Sequence, residues 1–77
     1  MFKSLGSPEN ERLIAWLKEN RKSQGLSMRD LASRMGVPHS FIGKVEQQER
    51  RLDVVEYIQY CKALNVLPAE GLEIVSL

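Results

Sequence analysis

The chain has 77 residues and a mass of 8.8 kDa, enough for one domain and too little for two, since domains usually need about 50 to 200 residues. Hydrophobic residues make up 43% and charged residues 27%, a balance that argues against disorder, collagen and coiled-coil rods. The longest apolar run, Leu13 to Leu17, falls far short of the roughly 20 residues that cross a bilayer. 

Ser7-Pro8-Glu9 is a helix start: serine caps, proline suits the first helical position, and glutamate complements the positive end of the helix dipole. Leu13, Ile14 and Leu17 form the inward stripe of this first helix, and Gly25 stops it near Gln24. Ser27-Met28-Arg29-Asp30 is a capping-box arrangement with aspartate in the glutamate position, opening a second helix over residues 28 to 35. Gly36 ends that helix, and Val37-Pro38 leads into a short third one, HSFIGKVEQ, with Ile42 and Val45 inward. Asp53 caps a fourth helix whose Val54, Ile58, Cys61 and Leu64 recur at helical spacing, with Asn65 at its end. Pro68-Ala69-Glu70 opens a last helix, about 68 to 76, bearing Leu72, Ile74 and Val75. No strand-like alternation, internal repeat or low-complexity segment interrupts the pattern, so the expectation is a single all-α domain of five helices over residues 1 to 77. A domain this small has a thin margin, on the order of 3 to 5 kcal/mol from one core, and dimerisation is an obvious support.

Charge is unevenly distributed behind the net value of +1. Residues 1 to 20 are neutral, residues 21 to 51 carry seven basic against three acidic side chains, and residues 52 to 77 carry one against four. A basic middle beside an acidic tail suits a binding face, although chance segregation of solvated charges produces the same pattern about as readily.

The informative block is Met28 to Gln47, MRDLASRMGVPHSFIGKVEQ. Two short helices that cross steeply need a small residue at the crossing, a glycine in the turn and apolar residues toward the core. Ala32, Gly36 and the set Leu31, Met35, Val37, Ile42 and Val45 meet those demands. Gly36 is expected at positive φ, which side-chain-bearing residues adopt only at a cost. An unrelated helical bundle is the competing reading of the same positions.

With these residues in place, the chain resembles the helix-turn-helix regulators of the phage repressor and Cro type, the XRE family, from about Leu13 to Leu67. The stretches GLSMRDLASRMGVPHSFIGKVEQ and ERRLDVVEYIQYCKALNV are similar to that family's second to fourth helices. The resemblance implies a phage-repressor-like domain whose third helix enters the major groove of double-stranded DNA. Carried over by position, His39, Ser40 and Lys44 meet base edges, Lys44 donating to guanine, with a solvated place at the helix start as the alternative for His39. Phe41 either touches a thymine methyl or packs under helix 4, and Gly43 either admits the duplex closely or is only a small surface residue. Phosphate contacts are expected from Ser27, Arg50 and Arg51. Met28 stands where the family often has a phosphate-gripping glutamine, so it either shares that contact or only packs. Gln48 stands where relatives usually carry glycine, so the loop either holds a left-handed non-glycine residue or is rebuilt. Arg21 and Glu46 occupy the family's ion-pair positions and are read as structural.

The last helix supplies the expected homodimer contact through Leu72, Ile74, Val75 and Leu77, some of which must also close the core beneath helix 1. No metal, cofactor or catalytic site is expected: His39 is the sole histidine and Cys61 the sole cysteine, and Cys61 on an apolar stripe reads as a buried small hydrophobe. The lone cysteine and the absence of a secretory pattern in MFKSLGSPENE point to a reducing cytoplasm. The resemblance adds a prokaryotic, phage or restriction-modification setting. Two rivals stay open: an antitoxin that represses its own operon while another face holds a toxin, and a protein-interaction module, touching transcription machinery or another partner, that keeps the fold only as scaffold.

Overall fold

The computed structural model describes residues 5 to 77; the secretory reading of the N-terminus draws in part on residues 1 to 4, which lie outside the described residues. Five helices follow in the expected order: α1 (Pro8–Ser23), α2 (Met28–Met35), α3 (His39–Glu46), α4 (Val54–Leu64) and α5 (Pro68–Val75). There is no strand among the described residues, and the architecture is all-α.

Capping explains the boundaries. Ser7, Ser27 and Asp53 accept from the amides of Asn10, Asp30 and Glu56, each such cap contributing about 1 kcal/mol. In α2 and α4 the box is reciprocal, because the Asp30 and Glu56 carboxylates also accept from the Ser27 and Asp53 amides. At the other ends, α1 through α4 close by one device, an amide reaching back to a carbonyl five residues earlier: Leu26 to Arg21, Val37 to Ala32, Glu49 to Lys44 and Val66 to Cys61. The closure requires a left-handed residue just before the donor. Gly36 supplies it with φ of 70°, while Gln48 and Asn65 do so with φ of 59° and 57° despite carrying side chains. Of the two alternatives for Gln48, the structure takes the left-handed one. Its amide oxygen accepts from Asn10 Nδ2 at 3.2 Å, a bond to α1 that offsets part of the steric cost.

Leu17, Leu31, Ile42, Val45, Tyr60, Cys61 and Leu64 are fully buried at the centre. The stripe expected on α4 is corrected at its first member: Val54 is 78% exposed. Val54 still lies one turn before Tyr57, but the first turn of α4 overhangs the edge of the core. Its side chain sits at the rim of an open groove lined by Leu13, Leu52, Tyr57, Leu72 and Val75. The inward face of α4 is instead Tyr57, Tyr60, Cys61 and Leu64, with Ile58 half-buried.

Polar side chains lock the frame. Arg12 of α1 donates to the carbonyls of Ile74, Val75 and Leu77 at 3.0 to 3.2 Å, satisfying the free end of α5 with a cation where the helix dipole is negative. Gln24 and Arg34 donate to the Leu64 and Ala63 carbonyls at the end of α4, Arg34 alone adding a cation there. The Tyr57 hydroxyl donates to the Pro68 carbonyl at 2.6 Å, fixing where α5 begins.

Candidate nucleic-acid interface

The position of α3 is set from behind by one ion pair. Arg21 near the end of α1 donates from Nε and Nη2 to both Glu46 oxygens at 2.6 and 3.0 Å, and from Nη1 to the Leu26 carbonyl at 2.7 Å. The two side chains are 8% and 2% exposed. Hydrogen bonding to Glu46 raises the Arg21 pKa above its already high value, so the charge is permanent. Beside them the Tyr60 hydroxyl is buried and makes no hydrogen bond among the described residues, and burial pushes its pKa up. The pair ties the C-terminal turn of α3 to α1 and to the turn before α2.

With Ile42 and Val45 held inward, the other side of α3 faces out. His39, Ser40 and Lys44 are exposed; Ser40 and Lys44, four apart, share a side, and His39 stands at the N-terminal end of the helix. No side chain caps α3, whose N-cap is Pro38, so its first amides open toward the same region. Gly43 is half-buried, and a Cβ there would meet only Met28 Sδ at 3.9 Å, an ordinary contact. Packing therefore does not require glycine at this position. Met28 and Phe41 are half-buried and packed against the core.

The flanks differ from each other. At the start of α2 the Ser27 hydroxyl accepts from the Asp30 amide at 3.0 Å, which leaves its own hydrogen to donate outward. Asp30, its pKa lowered first by the Ser27 amide, keeps a negative charge at this helix end. After α3, Arg51 is exposed but Arg50 is engaged. Its Nη1 and Nη2 donate to the two Glu56 oxygens at 2.9 and 2.7 Å, and Nη1 also reaches the Arg51 carbonyl at 2.9 Å. The guanidinium carbon stands 4.5 Å from the centre of the Phe41 ring. Of the two readings of Phe41, core packing is present, and its ring also supports Arg50, a contact neither reading anticipated. Glu56 is the participant that sequence reasoning missed. The Asp53-x-x-Glu56 spacing is itself a capping-box signal and places a carboxylate at the loop that carries Arg50.

On the remaining face, Leu72 and Leu77 of the α5 end are 58% and 87% exposed, while Ile74 and Val75 are half-buried. Among the described residues no three His, Cys, Asp or Glu side chains converge as a metal site, and no helix is long and apolar enough to cross a membrane.

The arrangement has counterparts. The helix-turn-helix family model matches residues 17–71. An XRE-family like protein from Pseudomonas syringae is 35% identical over 88% of this chain and 83% of its own, with a TM-score of 0.82. The restriction-modification controller protein C.AhdI from Aeromonas hydrophila is 29% identical over 84% of this chain and 98% of its own, with a TM-score of 0.77. The controller protein C.Esp1396I, whose structure is a tetramer with its 35 base-pair operator, is 21% identical over 91% of this chain and 92% of its own at a TM-score of 0.80, a likeness of fold alone. The search of curated proteins returned no match.

Proposed function

The chain belongs to the XRE-type helix-turn-helix family, and from that premise we propose that it is a sequence-specific regulator of transcription that binds double-stranded DNA. The observation that carries the reading is the outer side of α3: exposed His39, Ser40 and Lys44 on a helix fixed from behind by Arg21–Glu46. In this reading Lys44 donates to guanine O6 or N7, and Ser40 and His39 read neighbouring base edges. Phe41 supports rather than reads, and Gly43 leaves room for the duplex. Ser27 and Arg51 hold phosphates on either side, with Met28 as packing beneath Gly43.

One helix reads only a few base pairs, so the proposal includes a two-fold dimer on a palindrome with half-sites about 34 Å apart. The exposed Leu72 and Leu77, with Ile74 and Val75 beside them, supply the contact, continuous with the groove that Val54 borders. Residues 1 to 77 act together as one DNA-binding domain in the cytoplasm, without catalysis. The 29% identity to a restriction-modification controller supports control of a locus of that kind.

The test is selection of bound fragments from the source genome, including DNA upstream of the chain's own gene, at roughly physiological salt where non-specific phosphate binding is weak. A recovered palindrome is expected. Lys44→Ala should then cost about 1 to 3 kcal/mol at particular base pairs, whereas Arg51→Ala should weaken every sequence alike and reduce the salt slope by about one. Recovery of nothing above background would defeat the proposal.

A further inference from the structure

Arg50 is held in an unusual way for a surface arginine beside a nucleic-acid interface. A guanidinium has five N–H donors in a fixed plane. Here both Nη1 hydrogens are taken, one by the Arg51 carbonyl and one by Glu56, and Nη2 spends one on Glu56. Two donors are left, Nε–H and the second Nη2–H, and they lie next to each other along one edge. Arg21 uses that same edge to grip two oxygens of Glu46. In Arg50 it has no partner among the described residues, the plane is supported by Phe41 at 4.5 Å, and the Arg50 side chain is 40% exposed. Phe41 follows Ser40 in the first turn of α3, so Arg50 packs against the turn that carries two of the side chains proposed to read bases.

Glu56 accordingly does two things to Arg50. It cancels most of the long-range pull of its charge on DNA, and it fixes the direction of its remaining donors before any partner arrives. Hydrogen bonds from Arg50 and from the Asp53 amide hold the Glu56 carboxyl down at about 2, so the clamp is closed across the physiological range. The ordering of a long side chain is then already made in the free protein and is not lost on binding.

We propose that Glu56 is a positioning residue for DNA recognition, presenting the Nε–Nη2 edge of Arg50 as a rigid two-donor fork to one group with two adjacent acceptors on the duplex. That chemistry is found in guanine N7 with O6, and in two oxygens of one phosphate. The inference rests on the DNA-binding reading above and adds to it a residue that itself touches no DNA.

The test uses the full chain, a duplex recovered by selection with the wild type, and a scrambled duplex of equal composition. Glu56→Gln keeps a carbonyl for the Asp53 amide, as glutamine does at this place in capping boxes, and makes the protein more positive. A purely electrostatic role would therefore tighten binding to both duplexes together. The positioning role predicts that Glu56→Gln lowers affinity for the selected duplex about tenfold, alone if the partner is a base edge and together with the scrambled duplex if it is a phosphate, that Arg50→Ala does the same, and that Glu56→Gln adds no further loss in the Arg50→Ala background. Arg50→Lys, which keeps the charge and loses the fork, should match Arg50→Ala and answers the question even if the Glu56 variant fails to fold. Loss of the wild type's advantage over Arg50→Lys on 7-deazaguanine duplexes assigns the partner to a base edge, and loss on methylphosphonate duplexes assigns it to the backbone. Affinities in Glu56→Gln that are unchanged or that tighten together on both duplexes, a fall that persists without Arg50, or an advantage that survives both modified duplexes would overturn the inference. A wild type that shows no preference for any recovered duplex would instead defeat the DNA-binding reading beneath it.

Discussion

Glu46→Ala is the sharpest probe of how α3 is held. The substitution leaves the Arg21 guanidinium, 8% exposed, with the Leu26 carbonyl as its one remaining hydrogen-bond acceptor and with Nε and Nη2 unpartnered. Breaking one side of a buried pair costs about 3 to 5 kcal/mol, because the surviving charge is neither solvated nor compensated. A chain of this length has a total stability of roughly 4 to 12 kcal/mol at 0.05 to 0.15 kcal/mol per residue, so the loss removes a large share of it. For a domain of this size each kcal/mol moves the midpoint by about 4 to 8 °C, and thermal unfolding followed by circular dichroism should shift down by at least about 12 °C. Replacing both partners by apolar residues, Arg21→Met with Glu46→Leu, should recover most of the loss, since the pair's attraction largely offsets its own desolvation. A drop of under about 1 kcal/mol for Glu46→Ala, or a double variant no better than the single, would refute this account of the pair.

Gly71→Ala should destabilise the chain by up to about 2 kcal/mol: overpacking costs about 1 to 3 and the helix gains about 1 from alanine, and two side-chain contacts under 3.0 Å put the cost toward the upper end. The added Cβ would collide with the Tyr57 hydroxyl and stand 2.7 Å from Trp16 Cζ3, and equal or greater stability in urea would contradict the packing. Stability should fall in acid as pH drops from about 4.5 toward about 2, because the Glu56 carboxyl is depressed in the folded state from 4.5 to about 2. Its contribution is complete above the unfolded value and lost as pH passes down through the folded one. Glu56→Gln should flatten that limb of the urea stability profile, and a limb of unchanged slope would exclude Glu56 as its source. Cys61 is fully buried and burial pushes its thiol pKa up, so labelling by a thiol reagent should be limited by unfolding and accelerate with urea in step with it. Rapid labelling of the native protein would contradict the burial.

Local chemistry wrote most of the fold into the sequence. Ser27 with Asp30, Gly36 and Asp53 act on their own neighbourhoods, so caps and stops were legible within a residue of where α1 through α4 begin and end. The set His39, Ser40 and Lys44 came from the family resemblance, and its exposure agrees with Ile42 and Val45 taking the inward side of so short a helix. Hydrophobic periodicity then misplaced Val54, since a period states which side a residue takes and not whether the helix at that point still lies over the core.

Tertiary structure alone decided the rest. Arg12 meets the α5 carbonyls across more than sixty residues of sequence, and Gly71 is buried because α5 lies close to Trp16 and Tyr57; neither pairing has a local signal. Arg50 read from sequence as a phosphate contact, and folding set it on Glu56 and Phe41 with one edge open. The physical reason is the same in each case. Caps, turns and periodicity act over a few residues and are encoded by neighbours, whereas the partner of a long charged side chain is fixed only once separate helices have packed.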